Sequence, residues 1–176
     1  YLRYFYEDIY QTYFKSIYPS PSEYLLLRNI SKIFASLDFA KHELESWYDK
    51  VKELRRYRIC QIHNHLCLEH YHKCQNDCLL SWEKSRKDTP VLDLIEFYKC
   101  SYFDLNFEVL LHEYFRVCPW HDEEKQLFFL VISIPPKFIS KGTEFQKVKQ
   151  IREVLDYVFK TEDLIRPYYA VEKKQE

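Results

Sequence analysis

The chain has 176 residues, of which 47% are apolar and 18% aromatic. That is enough to bury a core without disulfide or metal staples, and it excludes a disordered composition. A net charge of −1 and a pI near 6.7 exclude a global field that would draw in nucleic acid or an anionic membrane, and the single glycine, Gly142, excludes a glycine-rich phosphate loop. The chain opens at Tyr1 and contains no methionine, as expected of a fragment or processed product.

The first predicted element is an amphipathic helix over 3–18, with Tyr, Phe and Ile at helical spacing, stopped by Pro19-Ser20-Pro21. Ser22 is the expected N-cap of a second helix over 23–35, with Leu26, Leu27, Ile30, Ile33 and Phe34 as its apolar face. Ser36 or Asp38 is expected to cap a third, long helix. Neither Gly nor Pro lies between Pro21 and Pro90, and Leu37, Ala40, Leu44, Trp47, Val51 and Leu54 follow a 3-4 spacing. This helix is predicted to run to about residue 85.

A charged linker at 84–88 then leads through Asp88-Thr89-Pro90 into a short helix over 91–99, with proline in its first turn. The period then changes. Leu105, Phe107, Val109 and Leu111 alternate with more polar positions, which predicts a strand. A turn at 119–125 leads to a second predicted strand over 127–134, apolar on both faces, ended by Pro135-Pro136. That apolar run is far too short to span a bilayer. Thr143 is expected to cap a final helix to about residue 160, with Phe145, Val148, Ile151, Leu155, Val158 and Phe159 on its apolar face.

The predicted fold is α+β and mainly helical: a long central helix with a β-hairpin and a C-terminal helix packed against it. Two regions are expected, 1–86 and 87–176, forming one compact unit. A two-stranded sheet is marginal alone, so helices or a partner's strand must cover it.

The stretch CQIHNHLCLEHYHKCQNDC, 60–78, is the densest chemistry in the chain. On a helix, Cys60, His63, Cys67, His70, Cys74 and Cys78 fall in one stripe bordered by Ile59, Ile62 and Leu66, with His65 and His72 on the other side. Such cysteines can simply pack as small hydrophobes. They can also hold tetrahedral zinc, though one helix offers ligands only from adjacent turns. Cys118 and His121, a C-x-x-H pair on a turn, would complete the set with His70 and Cys74, and Cys67 or Cys78 are the alternates. A zinc there would be structural and would pin the hairpin to the helix. Cysteines seven apart on a helix lie about 10 Å apart, beyond disulfide reach, so a useful bridge would have to run to Cys100 or Cys118.

The run at 50–58 is basic, and Arg55, Arg56, Tyr57 and Arg58 are its candidate nucleic-acid contacts, because arginines bind phosphate and tyrosine stacks bases. The helix opening the chain carries Tyr4, Phe5, Tyr6, Tyr10, Tyr13 and Phe14, residue types enriched in interface cores. No complete set of nucleophile, base and orienting group comes together by spacing, although Cys118 and His121 are spaced as a nucleophile–base pair. The functional expectation is therefore a non-enzymatic protein-interaction or scaffold subunit, self-associating or bound to a protein partner, with structural zinc as its candidate cofactor. The alternatives are a nucleic-acid-associated subunit using the basic helix, or a small secreted helical protein with disulfides. No membrane association is expected, and an intracellular location is favoured.

Overall fold

The computed structural model describes residues 1–54, 56–139 and 141–170. The fold is mainly helical α+β. Its helices are α1 (Leu2–Phe14), α2 (Pro21–Val51), α3 (Val91–Ser101), α4 (Phe107–Val117), α5 (Asp122–Ile132) and α6 (Glu144–Ala170), and its short strands are β1 (Cys60–Ile62), β2 (Tyr71–His72), β3 (Cys78–Leu79) and β4 (Arg86–Asp88). No helix among the described residues is long and apolar enough to cross a membrane. The chain divides into two compact units, one of 1–41 with 133–176 and one of 42–132, so the boundary predicted at 86 lies inside the second unit.

The first unit is helical. The start of α2 is set by Ser20, two residues earlier than predicted. The Ser20 hydroxyl accepts from the Glu23 N–H at 3.4 Å, and the Glu23 carboxylate accepts from the Ser20 N–H at 2.8 Å. This is a capping box with proline at the first helical position. The predicted break at 36–38 does not occur. The Ser36 hydroxyl donates to the Ser133 carbonyl and Asp38 pairs with Arg3, so neither side chain caps a new helix.

Helix α6 starts where predicted. Gln146 N–H donates to Thr143 Oγ1 at 3.3 Å, and Thr143 N–H donates to Gln146 Oε1 at 2.9 Å. It runs about ten residues beyond the predicted end. Gly142 precedes this cap at φ +130°, and a Cβ there would lie 2.7 Å from Gln146 Oε1. The unit's core is Tyr6, Leu26, Ile30, Ile33, Phe138, Ile151, Val154 and Leu155, and the Tyr6 hydroxyl donates to the Pro136 carbonyl at 2.6 Å.

The second unit departs most from expectation. The long helix ends at Val51 rather than near 85, and 60–88 forms two small antiparallel ladders. In one, Cys60 pairs with Asp88 and Ile62 with Arg86. In the other, Tyr71 pairs with Leu79 and His72 with Cys78. Histidine, cysteine and asparagine are weak helix formers, and within the stretch only Ile62 and His63 are buried.

The two predicted strands are helices α4 and α5. Asn106 caps α4, accepting from the Val109 N–H at 3.3 Å. Phe107 and Leu111, four apart, are buried while Val109 is exposed, so the period is helical. In α5, three acids in the first turn suit the positive end of the helix dipole, and Phe128, Phe129, Leu130 and Ile132 are all buried. A short apolar run buried on every side reads alike as helix or strand. Tyr98 of α3 meets Phe107 at 4.8 Å and Phe128 at 6.2 Å between ring centroids, and Trp120 meets Phe128 at 6.0 Å. These rings form the unit's core.

Candidate functional site

The histidine-cysteine stretch is shaped from outside itself. Asp93, on the first turn of α3, accepts the backbone N–H groups of His63 and Asn64, each at 2.7 Å. Asn64 sits at φ +61° and Ser81 at φ +65°, conformations that cost non-glycine residues energy and persist only where neighbours enforce them. Between them, His63 Nε2 donates to the Leu80 carbonyl at 2.6 Å. That bond fixes the tautomer of a buried imidazole and leaves its Nδ1 a bare acceptor, with no hydrogen-bond partner among the described residues. The Trp82 ring stands edge-on to it at 5.0 Å and the His70 ring lies 5.3 Å away.

The predicted zinc set of Cys118, His121, His70 and Cys74 loses its premise, because no helix presents ligand pairs from adjacent turns. Of the alternates, Cys67 does meet His70, with Sγ 3.3 Å from Nδ1. That nitrogen donates to the His65 carbonyl at 2.9 Å, so it carries a proton and has no lone pair to share with an ion at the Cys67 sulfur. The Cys74 thiol donates to the Asn76 carbonyl at 2.9 Å. His121 caps α5, its N–H donating to Glu124 Oε2 at 2.9 Å. Among the described residues no three His, Cys, Asp or Glu side chains converge on a point a metal ion could occupy. All six cysteines are free thiols.

The basic run is also re-employed. Arg58 grips the buried Glu124 with two bonds, Nε to Oε1 at 3.0 Å and Nη2 to Oε2 at 2.6 Å, and Nη1 reaches the Pro119 carbonyl at 3.4 Å. A fork–fork pair of this kind is directional and strong, and it removes Arg58 from any phosphate-binding set. Arg56 and Tyr57 are exposed, and Arg55 lies outside the described residues. Nearby, burial pushes the Tyr114 phenol up to about 12, with the Cys118 thiol adding to the effect.

Helix α1 splits its aromatics. Tyr6 is fully buried, and Phe5, Tyr10 and Tyr13 pack on the core from its margin, so these four belong to the fold rather than to an open contact face. Tyr4 and Phe14 remain exposed, at 72% and 67%. Beyond the helix end, Ile17 and Tyr18 are 86% and 91% exposed. Phe145, placed by periodicity on the apolar face of the last helix, is 78% exposed. It stands at the same end of the unit, because its neighbour Glu144 accepts the Ser22 N–H of α2 at 2.6 Å. That bond holds the Glu144 carboxyl below its usual range. Helix α1 ends at Phe14, four residues before the predicted end at 18, which leaves Ile17 and Tyr18 outside it. No protein-family model, curated protein or solved structure matches the chain.

Proposed function

We propose that this chain is a non-enzymatic protein-interaction subunit whose contact surface is the apolar end of the first unit. The observation that carries this reading is the exposure of Phe14, Ile17, Tyr18 and Phe145 around the start of α2. Large apolar side chains scattered singly over a surface need no explanation, but several at one end of a unit mark a contact site. Aromatic residues are the type enriched at interface centres.

The partner in this reading is a second copy of the chain. A net charge of −1 gives two copies little mutual repulsion, and a symmetric dimer needs only one self-complementary patch. Light scattering over a dilution series tests it. The weight-average mass should rise toward twice the 21.8 kDa of one chain as concentration increases. The double variant Ile17→Asn/Tyr18→Ser should stay at the single-chain mass, with the melting temperature the wild type shows at dilutions where it is a single chain. A wild-type mass that stays constant across the series overturns the reading.

A further inference from the structure

In the first unit, two contacts between α2 and α6 flank a cleft. Lys32 on α2 pairs with Glu162 on α6 at 3.1 Å. Seven residues further along each helix, the rings of Phe39 and Tyr169 meet edge-on at 5.2 Å. Seven helical residues advance about 10 Å. α2 lines the cleft with the small side chains of Ala35 and Ser36, and α6 lines it with Ile165 between the two links and with Val158 and Thr161 just before Glu162. The result is a cleft of about 560 Å³, within the ordinary range of small-molecule sites.

The chemistry of the cleft selects its occupant. The walls between the links are mainly apolar. The rim charges are matched: Glu162 faces both Lys32 and Arg166, and Arg166 also pairs with Asp163 at 3.0 Å. The Ser36 hydroxyl is committed to the Ser133 carbonyl. A charged ligand would therefore have to displace an existing partner. A partner helix would have to break the Lys32–Glu162 and Phe39–Tyr169 links, whereas a slim molecule can lie between them. We infer that the cleft between α2 and α6 is a binding site for a neutral apolar molecule about 10 Å long, such as a fused aromatic or a medium-length alkyl chain. This site is separate from the patch at Ile17 and Tyr18 and does not depend on it.

The test uses N-phenyl-1-naphthylamine, an uncharged dye that fluoresces when it leaves water. Titrated into the whole chain, it should bind saturably at one molecule per chain and be displaced by 1-octanol. Ala35→Trp places an indole in the slot from an exposed position and should weaken binding by roughly tenfold or more. Ala35→Leu fills less of the slot and serves if the tryptophan variant misfolds, which circular dichroism would reveal. Ala35→Ser and Ile17→Asn/Tyr18→Ser should bind like wild type. Absence of saturable binding overturns the inference, as does binding unaffected by a folded Ala35 variant of larger size or lost in Ile17→Asn/Tyr18→Ser.

Discussion

In the first unit eight buried side chains from α1, α2, α6 and the segment before α6 meet in one cluster. In residues 60–88 of the second unit only Ile62 and His63 are buried, and the path of the chain is fixed by hydrogen bonds instead. The carboxylate of Asp93 holds two consecutive N–H groups, and the Leu80 carbonyl holds His63. Ladders of two and three residues add little alone. The first region is stabilised by area removed from water, which accumulates over many contacts and tolerates small errors at each. The second rests on a few directional bonds, any one of which can be lost whole.

Damage to the cluster should have the largest effect. Ile33 is fully buried, and Ile33→Ala should cost about 3 kcal/mol, combining lost transfer energy with a cavity. Urea unfolding should show the midpoint falling with the slope unchanged. A loss well under 1 kcal/mol would mean that the cluster relaxes around the gap and that the contrast between the regions is overstated.

The polar region should fail differently. Asp93→Ala leaves the His63 and Asn64 N–H groups without their charged acceptor, at a cost of about 2 kcal/mol. The effect should be local: the amides of His63 and Asn64 should exchange with solvent much faster, while that of Ile33 changes only as far as global stability does. If the two amides keep their protection, Asp93 is not what shapes this stretch.

This contrast also decides what could be read from the chain. Where burial is periodic the reading held: Leu26, Ile30 and Ile33 on α2, Ile151 and Leu155 on α6, and the Thr143 cap. Where a helix is buried on several sides, as α5 is, the period vanishes and strand and helix read alike. The stretch at 60–88 was illegible for another reason. Its shape depends on Asp93, thirty residues from His63, and on positive φ at Asn64 and Ser81, neither of them glycine. Assigned to a helix by default, its cysteines and histidines aligned into a ligand stripe that the folded chain does not contain. The Arg58 pair is another long-range feature, since its partner Glu124 lies 66 residues away and no local spacing announces it. The aromatic helix was half legible, because spacing alone does not separate Tyr6, which is core, from Tyr4 and Phe14, which are surface.

The smallest expected effect concerns a polar link of the first unit, between α6 and the start of α2. Glu144 accepts the Ser22 N–H across from α6 to the first turn of α2, and this bond keeps its carboxyl below the ordinary value. A carboxyl whose pKa is depressed on folding contributes stability that is fully present above its unfolded value, and that contribution is lost as pH falls through the folded value. Glu144→Gln keeps an oxygen that can accept from Ser22 but removes the charge. The wild type should therefore be slightly more stable than Glu144→Gln near neutral pH. The gap should close as the solution is acidified below the ordinary carboxylate range. Because Glu144 is only half-buried, screening keeps the gap small, and paired urea midpoints at the two pH values are the measurement needed. A gap that persists in acid would assign the bond to geometry alone. Helix α2 would then be held at its start by the Ser20–Glu23 box, with no contribution from the Glu144 charge.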